Sequence, residues 1–434
     1  MKRNKLSKVQ KRIKNLYQTI TVVVFIVFLF IGGVTGSLWF FRPSTSIVEK
    51  RDLAPFPVFT MTSFLDGSYF SDVSTWYSDT YPMREQFISM NNTLKGFYGI
   101  EADTQMIGGG KGDEIPTNGE KKIQEEIKVP DTTYLNEEIQ DRIMNGLYVE
   151  NGAVYDIYYF GQSAADTYID MLDKTAKKLK GVTNVYNLLV PNSAGVLLDD
   201  KLLEKVGGSH EGQAMDYYYN SYENVTGLDI FNTLREHRDE YLYFRTDHHW
   251  TSEAAYYTYL EYCRLKGFTP KEKDEFVKYE FYPFLGSYYT ELQLKEMEEN
   301  PDRVIAYGPT STNDMTYDDV DGNTWEQEII RDVSQSGVSS GYQCFVGGDL
   351  PFVEIDNPEI EDGSSVLVIK DSYANCFIPM LVDHYDRVFY MDFRYAPYSV
   401  EQFCIDNNVT DLIFENNLQM IGSLDVVAMI KSIL

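Results

Sequence analysis

From Asn145 onward, short runs of β-branched and aromatic residues alternate with longer segments of helical period. That alternation confines the chain to few folds. Ala153 to Phe160 reads as a strand, and Ala164 to Lys180 as a helix with Ile169, Leu172, Ala176 and Leu179 on one face. Asn184 to Val190 reads as a strand stopped by Pro191. Leu228 to His237 reads as a helix capped at Asp229, and Tyr241 to Thr246 as a further strand. Glu253 to Lys266 reads as a helix, with Thr251 or Ser252 as its N-cap and Gly267 past its end. Ser365 to Ile369 is a strand, a helix covers about Asn375 to His384, and Arg387 to Met391 and Leu412 to Phe414 are strands again. Strands alternating with helices predict an α/β domain with a mainly parallel sheet and helices on both faces. Residues 270–350, rich in Tyr, Gly and acids, fit this poorly and read as an excursion of loops or short strands.

The first third is organised differently. Seven Lys/Arg fall in residues 1–15, and the first acid is Glu49. Thr21 to Phe41 is a run of 21 residues without a charge, long enough to cross a bilayer. The basic flank belongs in the cytoplasm, and Trp39-Phe40-Phe41 suit the outer interface. A cleavable signal peptide would need a shorter apolar run and a small-residue cleavage site, and no A-x-A-like site follows. The expectation is therefore a cytoplasmic tail over 1–18, a single transmembrane helix over 19–41, and an extracellular body. Residues 42–100 read as a stalk and a helical unit, with a second helix over about Met83 to Tyr98. Residues 101–142 read as a polar, Glu/Lys-rich insert or linker, and 143–434 as the α/β domain. Removing the eight basic residues up to Arg42 leaves 30 Lys/Arg against 66 Asp/Glu. Such a body repels nucleic acid, which is not an expected partner. Cys263, Cys344, Cys376 and Cys404 lie too far apart in sequence for a CxxC site, so free buried thiols and disulfides both remain open.

Two stretches carry chemistry. Asp247-His248-His249-Trp250 places an acid, two imidazoles and an indole at a turn between a predicted strand and a predicted helix. In an extended turn Asp247 and His249 can face the same way, as an acid–base pair. Asp371-Ser372 follows the strand Ser365 to Ile369 and precedes a helix. A serine at that junction is exposed at the sheet edge, with its own N–H near a helix N-terminus. If the two edges adjoin, Ser372, His249 and Asp247 make a nucleophile, a base and an orienting acid. Taken separately, Asp-Ser also reads as a helix cap and Asp-x-His as a polar turn. Around them, His248 packs or donates, and Trp250 either stacks on a sugar or anchors the core. Arg394 holds a carbonyl or a salt bridge, and Gly286 lends an oxyanion N–H or only turns the chain. Asn416 and Asn417 end a strand at the same edge. No metal site is expected, because adjacent histidines ligate one ion poorly and no further His cluster completes the set.

The turn "RTDHHWT", together with "LAPFP", "DGSYFSDVSTWYSDTYPMREQFISMNN" and "YMDFRY", resembles the DHHW protein family of Gram-positive bacteria. The layout is similar to that of SGNH-hydrolase-like alginate O-acetyltransferases, in which an Asp-x-His motif precedes a strand-borne Ser. That resemblance implies an SGNH-like α/β fold, Asp247 and His249 as acid and base, and Ser372 as nucleophile, with Lys370 standing where a Gly usually precedes Asp-Ser. It further implies an O-acetyltransferase acting on a cell-surface or secreted polysaccharide, with no bound cofactor. The acetyl donor would come from a multi-span membrane-bound O-acyltransferase partner. The same triad would serve a polysaccharide acetyl esterase, and without chemistry the chain would be a glycan-binding or assembly scaffold.

Overall fold

The computed structural model describes residues 146–434 throughout and, before them, residues 23, 42, 45–46, 51–52, 55–61, 64, 68–81, 104–108, 110–117 and 121–127. The apolar run at 21–41, apart from residue 23, and the second helix expected at 83–98 lie outside the described residues. Among the described residues no helix is long and apolar enough to cross a membrane. The chain divides into two units, Met1–Glu101 and Ala102–Leu434. In the first, the helix Ser68–Asp79 carries Trp76, over whose ring the Arg42 guanidinium lies at 4.2 Å.

The second unit holds the functional candidates. Strands β1 (Thr104–Gly108), β2 (Gly146–Glu150) and β3 (Ala153–Asp156) form a small antiparallel sheet. The strand expected to run to Phe160 thus ends at Asp156 and stays outside the main sheet. In chain order β4 (Asn184–Val190), β5 (Thr226–Leu228), β6 (Val277–Phe284), β7 (Asp302–Gly308), β8 (Asp314–Asp318), β9 (Thr324–Glu328), β10 (Phe352–Asp356), β11 (Ser365–Lys370), β12 (Arg387–Asp392) and β13 (Asp411–Asn417) follow. Eight of these make the main sheet, in the order β9-β8-β10-β12-β11-β13-β4-β5.

The sheet is parallel from β12 to β5 and antiparallel from β12 outward through β10, β8 and β9. The expected mainly parallel sheet is therefore a mixed one. Its antiparallel outer strands β8 and β9 come from the 270–350 excursion, whose other strands, β6 and β7, pair as a separate hairpin. The parallel half reads in sequence as apolar runs because its central strand is covered on both sides: every residue of β11 is buried. Helices α1 (Gln162–Lys178), α2 (Ser252–Lys266) and α3 (Leu424–Ser432) supply much of the surrounding core. Thr251 caps α2 by accepting from Glu253 N, and Gly267 closes it in the left-handed conformation. Segments 110–117 and 121–127 are tied to α1. Gln162 N donates to Asp113, Lys122 N to Asp166 and Gln124 N to Thr167.

Two local expectations fail for physical reasons. Tyr241–Thr246 is not a strand. It folds back on itself, with Thr251 N donating to the Leu242 carbonyl and Phe244 N to the His249 carbonyl, so its backbone is satisfied within the loop. The helix expected over 375–384 is broken into a 3-10 turn (Ser372–Cys376), one α-turn (Ile378–Leu381, with Pro379 in it) and a second 3-10 turn (Val382–His384). All four cysteines are buried free thiols.

Candidate active site

The loop carrying Asp247 and His249 is hung on a carboxylate from β7. Asp302 is fully buried at its side chain. It accepts from Arg245 N at 2.9 Å, Thr246 N at 2.7 Å, Thr246 Oγ1 at 2.7 Å and Arg245 Nε at 3.1 Å, and from the Tyr241 hydroxyl. These bonds replace the sheet ladder that the segment lacks. Ser372 follows the C-terminal end of β11. Asp371 shapes its turn by accepting from Tyr373 N at 3.0 Å and from Asn417 N, at the end of β13, at 2.7 Å. Ser372 heads the 3-10 turn, so its own N–H has no acceptor within that turn.

The two stretches meet. His249 Nε2 lies 2.8 Å from Ser372 Oγ, across 123 residues of sequence. His249 Nδ1 lies 2.5 Å from Asp247 Oδ1, which also accepts from His249 N at 3.0 Å. Burial alone would raise the Asp247 pKa, but the imidazoles of His249 and His248 and a 2.8 Å bond from Ser287 N outweigh it. The carboxyl is held well below the usual range and ionised. An ionised carboxylate only accepts, so Nδ1 carries the proton and the Nε2 lone pair faces the Ser372 hydroxyl. Asp247 and His249 are buried, whereas Ser372 is part-exposed. The arrangement can move a proton from Ser372 to His249 and hold the resulting imidazolium against a charge.

The remaining candidates take supporting roles. Trp250 is fully buried and donates Nε1–H to the Tyr373 carbonyl at 2.8 Å, so it anchors the serine turn and has no face for a sugar. Arg394 is spent: it forks onto Asp392 and reaches Asp349 at 2.8 Å. Lys370 joins this network with a buried side chain, through Asp349 at 2.8 Å, and Asp349 also accepts from Asn375 Nδ2 of the serine turn at 3.3 Å. Gly286 N donates to Thr246 Oγ1 at 3.2 Å and so is not an oxyanion donor. A Cβ at Gly286 would stand 2.2 Å from Asp247 Cβ and Oδ2, so glycine is required for the close approach. His248 Nδ1 lies 2.7 Å from Ser287 Oγ. Burial, with the neighbouring His249, pushes His248 down to about 3 and leaves it neutral. Asn416 Oδ1 accepts from Tyr168 at 2.8 Å inside the core, and Asn417 serves Asp371 as described.

Ser287, Tyr342 and Asp302 surround the site and went unread in the sequence. All three come from the 270–350 excursion, and the nearest signal was the "GSYY" that follows Leu285. Ligand atoms of Asp247, His248 and His249 lie within 4.8 Å of one another, close enough to hold a metal ion. Both Asp247 oxygens, both His249 nitrogens and His248 Nδ1 are already hydrogen-bonded. A cation there would have to break the line from Asp247 to Ser372.

No curated protein matches the chain. A solved DHHW family protein from Eubacterium siraeum DSM 15702 is 27% identical, with 64% of this chain and 95% of that chain covered and a TM-score of 0.56. Bacillus cereus PatB1 shares the fold at 18% identity, with 64% and 98% covered and a TM-score of 0.55. PatB1 with a sulfonyl adduct shares it at 17% identity, with 63% and 94% covered and a TM-score of 0.53. The model of the DHHW protein family matches residues 49–145 and 118–391, most of the chain and both halves of the site, and this protein belongs to that family.

Proposed function

We propose that this chain is a membrane-anchored extracellular O-acetyltransferase that modifies a cell-surface or secreted polysaccharide through an acyl-enzyme on Ser372. The observation that carries the reading is the unbroken line from Ser372 Oγ through His249 to the ionised Asp247. His249 Nε2 takes the Ser372 proton as Oγ bonds to the acyl carbon, and the imidazolium returns that proton to the donor's leaving oxygen. A sugar hydroxyl then attacks the acyl carbon. Its proton goes to His249, and Ser372 leaves and is reprotonated. The Ser372 N–H at the head of its turn is one donor for the oxyanion. The run at 21–41 serves as the anchor, with the N-terminus in the cytoplasm. The acetyl donor is delivered by a multi-span membrane-bound O-acyltransferase, so no cofactor is required in the chain itself. The sulfonyl adduct of the fold-related PatB1 fits a site of this kind. Part exposure of Ser372 also favours a second reading, polysaccharide acetyl ester hydrolysis, because water can reach the acyl carbon.

The test is Ser372→Ala in the full chain, scored by the acetyl content of cell-surface polysaccharide and by the melting temperature. Loss of acetylation with retained folding is the expected result, and unchanged acetylation overturns the reading. A body that cleaves simple acetyl esters yet never acetylates an oligosaccharide acceptor supplied with an acetyl donor moves the assignment to an esterase.

A further inference from the structure

We infer that Tyr342 is a positioning residue that sets the base and the nucleophile in register, an assignment that rests on the Ser372–His249–Asp247 reading above. Its ring stacks on the imidazole of His249, with centroids 3.8 Å apart and planes 12° from parallel. On the other face of that imidazole lies His248, with centroids 3.8 Å apart and planes 36° apart. The base is therefore held between two rings, while its two nitrogens are held by Asp247 and Ser372. The same Tyr342 side chain reaches the nucleophile. Its hydroxyl, kept protonated by burial, donates to the Ser372 carbonyl at 3.0 Å. Trp250 donates to the next carbonyl, that of Tyr373, so one indole and one phenol donor fix the peptide planes behind Ser372.

The placement is built in. Tyr342 sits in the 3-10 turn Gly341–Cys344. A Cβ at Gly341 would come within 2.8 Å of the Phe284 ring and 2.9 Å of Val304 Cγ2, so only glycine lets this turn wedge against the β6–β7 hairpin. That hairpin also carries Asp302, which hangs the base loop. A ring against an imidazole that becomes an imidazolium both bars ring rotation and offers a π face to the developing charge. The groups facing His249 are Asp247 and His248 from its own loop, Tyr342 from the 3-10 turn, and Ser372 and Tyr373 from the serine turn.

The test uses the detergent-solubilised full chain and phenylmethanesulfonyl fluoride as probe. Ser372 Oγ bonds to sulfur, fluoride leaves, and His249 takes the hydroxyl proton. The second-order labelling rate is read by intact mass, with Ser372→Ala as the blank. Tyr342→Leu is expected to label about a hundredfold more slowly than wild type. Tyr342→Phe keeps the ring, loses the hydroxyl's contacts to the Ser372 carbonyl at 3.0 Å, the Tyr373 carbonyl at 3.4 Å and Cys376 Sγ at 3.6 Å, and is expected to stay within about tenfold. Recovery by Phe marks the ring as the active part. Labelling of the Leu variant within about threefold of wild type, or a Phe variant as slow as Leu, overturns the assignment. If wild type is labelled no faster than the Ser372→Ala blank, the acyl-enzyme reading itself fails and takes this one with it. Should the Leu variant not fold, the His249 Cε1–H resonance of wild type decides. An upfield ring-current position is expected, and an unshifted resonance sinks the proposal.

Discussion

Gly286→Ala tests the site without touching any group that reacts. The added methyl would stand 2.2 Å from both Cβ and Oδ2 of Asp247, against an ordinary contact of at least 3.4 Å. Relieving it requires a separation of 3.4 − 2.2 = 1.2 Å, and Asp247 cannot yield only at its tip, because its Cβ is struck as well. Ser287 N, one residue on, donates to Asp247 Oδ2 at 2.8 Å, so the same movement stretches that bond. A displacement on the order of 1 Å at the orienting acid costs about a hundredfold in rate. Complete loss of that acid's hold on the imidazole costs about ten-thousandfold, which sets the ceiling. Overpacking in a filled core destabilises by about 1–3 kcal/mol, so the variant should remain folded. The assay is turnover of a simple acetyl ester by wild type, Gly286→Ala and Asp247→Asn, each with its denaturation midpoint. Gly286→Ala should fall between the other two in rate. A Gly286→Ala protein with turnover within about threefold of wild type would refute the claim that close approach to Asp247 is what this glycine provides.

Other outcomes follow from the buried charges. Glu211, buried with Asn192 N and Gly195 N on its oxygens, is pushed up to about 8 from 4.5, and Asp156 is pushed up to about 7 from 3.8, each chiefly by burial. Both therefore hold protons more tightly folded than unfolded, so stability should fall as pH rises from about 4.5 to about 8, by up to about 1.4 kcal/mol per pH unit per group. Urea midpoints at pH 5 and pH 8 check this. Glu211→Gln should flatten the slope, and a midpoint that rises toward pH 8 contradicts it. Arg394→Ala leaves Asp392 with the backbone N–H of residue 394 and with Lys370 at 3.6 Å, and should cost about 3–5 kcal/mol in denaturant unfolding. A loss under about 1 kcal/mol would mean that Arg394 is not committed to that network.

The reactive stretches were legible because each is local. Asp247 and His249 are two residues apart, and Asp371 and Ser372 follow a strand whose burial is written in its own apolar run. The architecture around them was less so. Tyr241–Thr246 carries the aromatic run of a strand, yet Leu242, Tyr243 and Phe244 are all buried, because these side chains fill a core while the backbone bonds within the loop and to Asp302. The outer strands β8 and β9 and the residues Ser287, Asp302 and Tyr342 belong to a region with no single period. The roles of these three side chains are fixed by contacts from 30 residues distant, Tyr342 with Ser372, to 93, Tyr342 with His249, which no local pattern encodes. Trp250 is claimed by a partner 123 residues away, and Arg394 by Asp392, two residues before it, and by Asp349 across the fold; in each case the structure selects the bland alternative that the sequence had left open.

Asp302 makes the base loop a suspended part. One side chain, outside the reacting line and far along the chain from the serine, carries the backbone of Arg245 and Thr246 and the hydroxyls of Thr246 and Tyr241. The position of His249 over Ser372 is thus set from the β6–β7 hairpin as well as by the bonds that join the base loop to the serine turn, Trp250 Nε1 to the Tyr373 carbonyl and the Tyr373 hydroxyl to the His248 carbonyl. Relatives could alter that hairpin and re-aim the imidazole while every residue of the catalytic line stays the same. Such a drift would leave the signature turn intact and the chemistry gone.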